Sequence, residues 1–539
     1  MKGRLIMDFN PNNISKRIVI FIYTLAMFCI YPIVIDDAYY NITITKTNFF
    51  MGASKVFLLC FVVAIFIDIF IHESLYIEEK FFVDDKRKFY SKPIFWMEMF
   101  VLANVIAWYM ADCSQAAKTG EGSRWMGMET YLVIGLVFVC IGRMTDISKI
   151  SIVAFAFVTA YTYIIGIIQH LEIDIQFWAT GQKSIFEFMH YRQGLSMDQF
   201  DIYMSTFGNI NIFSCYIVIS LSLFIGIFIF TNLIYMKLIA GTLVVLGGAS
   251  LMIANSDSGY LGILGAMFLL LLISYKENRF KKYIISLILL ACGNLLVVLL
   301  NNFAVEKYDK RGGFAQALDR MDLSIMIIIG LIMVYLLVHY LATNHKEKLE
   351  KLNKKKVIIA FVSVTAIVGV LAVIIGNAKG MAAFTFNDRW GTYRGFVWSR
   401  GWALFQDAPL LNKLFGYGNE TFGEYMGSYY YSEMMDIVGK YYDNAHNELL
   451  QYLVTLGIFG VVTYLGVFVS SLVYMLKYGK GNYLVYGAMT SMVGYFVQSL
   501  VNLNQPITTP LYFVIMALGV GYTTHLRKQD GDYDQVSGK

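Results

Sequence analysis

Apolar runs of nearly twenty residues recur along this whole chain, and they constrain its fold more than any other feature. The first, "IVIFIYTLAMFCIYPIVI" at residues 18–35, follows Lys16 and Arg17. Inside a bilayer every backbone N–H and C=O must be satisfied without water, so a segment of this length and composition reads as a spanning helix. With 57% hydrophobic residues and 15% charged, the sequence predicts an all-α polytopic membrane protein. The first run lacks a small-residue cleavage site, so it reads as a retained helix with a cytoplasmic N-terminus. Cys29, Cys60, Cys140, Cys215 and Cys292 lie inside apolar runs and Cys113 in a loop, a spacing that suits neither a disulfide framework nor a zinc site. The net charge of +5 is modest and gives no ground for a nucleic-acid partner.

Helices are predicted at 18–35, 56–72, 94–110, 131–142, 150–169, 211–230, 233–254, 259–274, 283–303, 323–342, 357–376, 446–474, 483–500 and 510–524, about fourteen spans in one membrane domain, residues 1–539. This threading leaves both termini in the cytoplasm. Lys and Arg, which were not used to draw the helices, provide a test. The segments it makes cytoplasmic hold 27 of the 43 Lys and Arg, and the external ones hold 16 in about twice as many residues.

Two external segments are too long to be mere connections: 170–210 and the large extracytoplasmic loop 377–445. Trp390, Trp398, Trp402, Phe396 and Phe405 make the large loop too aromatic for a solvated linker, so it reads as carrying helices that lie in the outer interface. Arg389, Arg394 and Arg400 are set among those rings. Guanidinium stays charged when partly buried and presents a fixed fork of donors suited to phosphate oxygens, which fits a diphosphate clamp; snorkelling to lipid phosphates is the plainer alternative. In the 170–210 loop, Arg192 stands among Glu187, Asp198 and Asp201, and Asn209 is placed to cap the sixth helix.

The stretch "DNAHNELLQYLVTLGIFG", residues 443–460, sets His446 at the mouth of the twelfth helix. On one continuous helix His446 and Gly457 would lie on nearly the same face with Gly460 beside them, forming a narrow seam for a neighbouring helix. Asp443 or Asn444 would then be the cap. A helix N-terminus disfavours the imidazolium, so a largely neutral imidazole is expected, able to act as a base or hydrogen-bond partner. Capping alone, or a metal site with Asp443 and Glu448, are the other readings; no second histidine is spaced to complete a metal site.

"HNELLQYLVTLGIFG" fits the pattern H-[N/S/Q]-x9-G-x-x-G, "RGFVWSRGWALFQDAPLLNKLFGYGNETF" fits R-x3-W…P…G-x-G…F, and "STFGNIN" is similar to an earlier G-N-x-N segment. In these features, over roughly residues 205–475, the chain resembles the O-antigen ligase and polymerase superfamily. The resemblance implies a GT-C-like fold and a metal-independent, inverting glycosyltransferase without a cofactor. Its substrate would be an undecaprenyl diphosphate-linked oligosaccharide, whose glycan passes to an acceptor hydroxyl at the outer face of a bacterial cytoplasmic membrane. Other polysaccharide-assembly proteins would be possible partners. Carried over by position, Arg394 would bind the diphosphate and His446 would assist the acceptor, with Arg389, Arg400, Arg192, Trp398 and Asn447 as substrate-binding candidates. Where many members carry S-R-G, this chain has "ANSDSGYLG", with Asp257 in place of the arginine, so a second diphosphate contact must come from elsewhere. Richness in Ile, Lys, Asn, Phe and Tyr hints at an AT-rich genome of the Gram-positive kind, which lacks lipid A as acceptor and favours a polymerase over a ligase. The alternative from another class is a transporter or flippase of a lipid-linked glycan, for which Asp68 and Glu98 would be the intramembrane acids.

Overall fold

The computed structural model describes residues 14–36, 41–71, 91–112, 114–144, 148–171, 205–304, 313–347, 352–381, 384–479 and 481–529, and among these there is no strand. Arg192 and most of the 170–210 loop lie outside the described residues. Helix α1 (Ile14–Leu25) continues through a wide π turn at Ala26–Ile30, and is followed by α2 (Ile42–Ile71), α3 (Pro93–Tyr109), the short α4 (Ser114–Thr119), α5 (Met128–Met144) and α6 (Lys149–His170). Next come α7 (Ile210–Phe230), α8 (Ile234–Ala254), α9 (Asp257–Lys276), α10 (Phe280–Ala304), the short α11 (Gly313–Leu318), α12 (Met321–Asn344) and α13 (Lys354–Ala378). The large loop contributes α14 (Trp390–Asp407), α15 (Leu410–Phe415) and α16 (Phe422–Val438), and the chain closes with α17 (Glu448–Thr455), α18 (Gly457–Tyr478), α19 (Tyr483–Ser499) and α20 (Thr509–Gln529).

A helix stands at each predicted position, and nine of them, among the described residues, are long and apolar enough to cross a membrane by length and composition. This is a multi-pass membrane protein. The large loop is helical, as expected of a segment so rich in aromatics. Several boundaries differ from the sequence reading: α2 begins at Ile42 rather than at 56, the fourth helix runs over 128–144 rather than 131–142, and the twelfth is two helices, α17 and α18, broken at Leu456–Gly457.

The core is built around α7. Residues Phe213 to Phe230 are all buried, enclosed chiefly by α19, α8 and α9. Close approach of α7 and α19 depends on small residues: a Cβ on Gly226 would stand 2.8 Å from the Gly487 Cα. Side-chain hydroxyls join the pair across the gap, Thr490 Oγ1 donating to the Ser222 carbonyl (2.9 Å) and Ser491 Oγ to that of Ile219 (2.7 Å). Hydroxyl donors suit this place because each satisfies a carbonyl of a neighbouring helix where no water can, and Ser222 Oγ at the same crossing is buried without a partner.

Three charged residues within the helices are paired or bonded. Lys46 of α2 is fully buried, and its Nζ donates to the carbonyls of Tyr31 (2.8 Å) and Pro32 (2.9 Å), which the end of the first helix leaves without intrahelical partners. Asp68 pairs with Lys16 (3.4 Å) and Glu98 with Arg143 (3.3 Å). By contrast α12 and α13 are almost bare: α12 buries only Ser324 and α13 only Gly376. Their exposed Ile, Leu and Val side chains suit contact with lipid, and α13 leads straight into the large loop.

Candidate active site

Three short stretches of loop meet in one hydrogen-bonded cluster: 123–125 before α5, 391–394 at the start of α14, and 442–447 before α17. His446 lies in the last. It precedes α17 and does not belong to it: its φ is +50°, and Asn447 is the cap, its Oδ1 accepting from the Leu450 N–H (3.1 Å). The predicted caps do other work. Asn444 Oδ1 accepts from the His446 N–H (2.9 Å), and Asp443 pairs with Arg124.

The imidazole Nδ1 faces the Asn444 carbonyl at 3.1 Å. A carbonyl can only accept, so Nδ1 carries the hydrogen and Nε2 keeps its lone pair. No side chain among the described residues meets Nε2. The ring stands edge-on to Tyr442, centroids 5.4 Å apart, and the Tyr442 hydroxyl donates to the Thr392 carbonyl (3.0 Å), tying the histidine turn to the arginine turn. Burial pushes His446 down to about 4; the Arg124 and Arg394 guanidiniums push the same way, against the Asn444 bond and Asp443. The expected neutral imidazole is therefore found, but its cause is desolvation and nearby cations.

Arg394 follows a left-handed run, Gly391 (φ +58°), Thr392 (+56°) and Tyr393 (+68°), that turns the chain sharply into α14. Its Nη1 donates to the Gly391 carbonyl (3.0 Å) and more weakly to Thr392 Oγ1 (3.4 Å). Its Nε is buried without a partner. Burial lowers its proton affinity, while Tyr442 and Asp257 act in the opposite direction. Even so, guanidinium stays charged at any ordinary pH. A partly desolvated cation with an unspent donor and no bonded carboxylate is poised for an anionic ligand.

Arg124 had no place in the sequence reading. Its Nε and Nη2 grip both oxygens of Asp443 (3.0 and 2.7 Å), and its backbone N–H donates to Glu420 Oε2 (2.9 Å), which also accepts from Ser123 Oγ (2.7 Å). Burial raises the Glu420 carboxyl above its usual range, against the donors from Ser123 and Arg124. Of the eight non-glycine residues with positive φ among the described residues, Trp125, Thr392, Tyr393 and His446 lie in these three stretches and Glu420 is bonded to one of them. Such conformations cost of order 1–3 kcal/mol each and survive only where surrounding bonds over-determine them.

The remaining sequence candidates divide. Trp398 Nε1 donates to the Ala445 carbonyl (3.0 Å), so this residue steadies the histidine turn. Arg400 is taken up by Asp388 (2.8 Å) and Glu433, and stacks on Phe396, pinning α14 to α16. Arg389 is exposed at the start of α14. Asp257 Oδ1 accepts from the Phe314 N–H of α11 (3.0 Å), and Asn209 caps α7 as expected, accepting from the Asn211 N–H (2.8 Å).

The helix break also has a local cause. At the end of α17 the carbonyls of Val454 and Thr455 accept from the N–H groups of Tyr417 (3.1 Å) and Gly418 (2.9 Å), so the G-Y-G loop caps the broken end. Gly457 at φ +68° lies so near the α15 backbone that a Cβ would stand 2.4 Å from the Leu414 carbonyl carbon. The predicted glycine seam along one helix face is thus corrected: Gly457 serves a turn and a close approach.

In comparison with known families, residues 317–465 fit the family model described as O-antigen ligase. The matched region runs from α11 into α18 and contains His446, Arg394, Arg389, Arg400, Trp398 and Asn447, while Arg124 falls outside it. A search of curated proteins gives no match. The resemblance to the O-antigen ligase superfamily therefore stands, and it likens the chain to enzymes that transfer lipid-linked glycans in polysaccharide synthesis.

Proposed function

We propose that the protein is a metal-independent, inverting glycosyltransferase that polymerises or transfers glycan from an undecaprenyl diphosphate-linked donor. The acceptor is a hydroxyl at the outer face of a bacterial cytoplasmic membrane. What carries the reading is the pairing, inside the matched region, of a neutral imidazole whose Nε2 lone pair is free with a partly buried guanidinium whose Nε donor is unspent. The acceptor oxygen attacks the anomeric carbon from the face opposite the diphosphate, forming the new glycosidic bond with inversion. Its proton passes to Nε2. The carbon–oxygen bond to the diphosphate breaks, and its electron pair stays on the leaving oxygen. Charge builds on the diphosphate as that bond breaks, so a fixed Arg394 stabilises the transition state more than the ground state. Polymerase remains the first choice over ligase, on composition.

Purified protein in detergent with EDTA and a diphosphate-linked oligosaccharide is expected to release undecaprenyl diphosphate and lengthen or transfer the glycan. Loss of the base in His446→Ala should cost about 10²–10⁴-fold in kcat. Arg394→Ala should cost about 10²–10³-fold. Full turnover in both variants would overturn the assignment, and, for protein reconstituted in vesicles, movement of lipid between leaflets without transfer would favour a transporter or flippase. Little in the geometry favours that alternative, since its two acids, Asp68 and Glu98, are held by Lys16 and Arg143.

A further inference from the structure

A lipid–diphosphate–sugar carries charge on each phosphate and gains one more as the anomeric bond breaks, and a single guanidinium offsets little of it. Arg394 also feels the Asp257 carboxylate, which weakens its field. Another cation is needed. Arg400, spent on two carboxylates, does not supply it.

Arg124 has the required geometry. Asp443 occupies one edge of its fork, Nε and Nη2, and no acceptor among the described residues reaches Nη1. A bidentate carboxylate fixes the guanidinium plane, so the open Nη1 edge points in a set direction instead of sweeping solvent. The stretch behind it is clamped as well: Ser123 Oγ and the Arg124 N–H both hold buried Glu420, and Trp125 is forced to φ +59°. That is more restraint than a surface ion pair needs. Asp443 lies three residues before His446, and Arg124 acts electrostatically on that imidazole together with Arg394, which puts the two guanidiniums around the same reacting centre.

We propose that Arg124 is the second guanidinium of the donor site, its open Nη1 edge binding the diphosphate of a polyprenyl diphosphate-linked glycan opposite Arg394, with Asp443 as the carboxylate that orients it. This rests on the glycosyl-transfer reading above. Arg124 fills the charge position that Asp257 leaves without an arginine, and it does so from a different external loop.

The test is binding of undecaprenyl diphosphate to the full-length protein in detergent, with undecaprenyl monophosphate, inorganic diphosphate and phosphatidylglycerol as comparison ligands. Wild-type protein is expected to prefer the polyprenyl diphosphate over all three. Loss of a charge-assisted contact in Arg124→Gln should weaken that binding about tenfold or more, with a shallower salt dependence. Asp443→Asn keeps the charge of Arg124 but releases its plane, and should weaken binding less than Arg124→Gln does, without flattening the salt dependence. That difference separates a ligand contact from a structural pin, because a pin would lose function equally from either side. Equal weakening in both variants, unchanged binding in Arg124→Gln, or the same loss for phosphatidylglycerol would overturn the proposal. Should Arg124→Gln prove unstable, Arg124→Lys carries the test: it keeps the charge but loses the fork, and should bind the diphosphate at intermediate strength. Wild-type protein with no preference for diphosphate would overturn the proposed function and Arg124's role with it, whereas a preference unaffected at Arg124 overturns only the latter.

Discussion

His446 is kept neutral mainly by burial and secondarily by two cations, and this sets how its activity should depend on pH. A histidine at its ordinary pKa of 6.5 would lose its lone pair as the pH falls through the mid-sixes; pushed down to about 4, His446 keeps it through that range. The acidic limb of kcat/KM, which reports the free enzyme, should therefore fall below about pH 5. Bound diphosphate adds negative charge beside Arg124 and Arg394, so the limb of kcat should lie at higher pH than that of kcat/KM. Limbs that coincide near 6.5 would sink both the role of His446 and its environment. Stability should follow the same group. Between about pH 6.5 and 4 the unfolded chain takes up a proton at His446 that the native chain refuses, so stability falls as the pH falls through that window. Much of this was legible in the sequence: His446 and Arg394 stand in local motifs, and a motif survives being read alone. Arg124 was not legible, because its meaning depends on Asp443, 319 residues away, and no periodicity or spacing connects the two.

The same distinction holds for the helices. Hydropathy placed every apolar helix, since lipid leaves an apolar run few alternatives, yet it passed straight through the break at Leu456–Gly457. Periodicity sees only an apolar stretch with two glycines. What forces the break is the docking of the 416–418 loop onto the end of α17 and the approach of α15 to Gly457. Gly457→Ala tests this. It puts a side chain where φ is +68° and the α15 backbone is in the way, and should destabilise the protein by about 1–3 kcal/mol in thermal unfolding. Gly460→Ala crowds the same break, since its Cβ would stand 2.1 Å from the Leu456 Cβ, which moves only with its backbone, and it too should destabilise the protein. Because α17 carries the histidine turn at its start, Gly457→Ala should also lower kcat more than it raises KM for the donor.

For the molecule as a whole, the arrangement of Lys and Arg predicts an orientation that chemical labelling can check. In a background without native cysteines, Ser428→Cys on exposed α16 should react with a membrane-impermeant maleimide in intact cells, and Asn278→Cys between α9 and α10 only after the cells are opened. The reverse pattern would invert the topology and place the proposed site on the wrong side for a flipped donor. The enclosed α7 supports another expectation. Gly226→Leu would drive a side chain into Gly487 and Thr490, and the overpacking should cost about 1–3 kcal/mol or more, seen as a lower unfolding temperature in detergent. That same enclosure has a consequence for how the protein is made. Its most apolar central helix emerges from the ribosome long before α19, so for the time it takes to synthesise some 250 further residues the hydroxyl-bearing face of α7 has no permanent partner. The nascent chain must wait in the membrane with its centre open. A chain cut short before α19 would lack both the glycine crossing and the two hydroxyl bonds that close it.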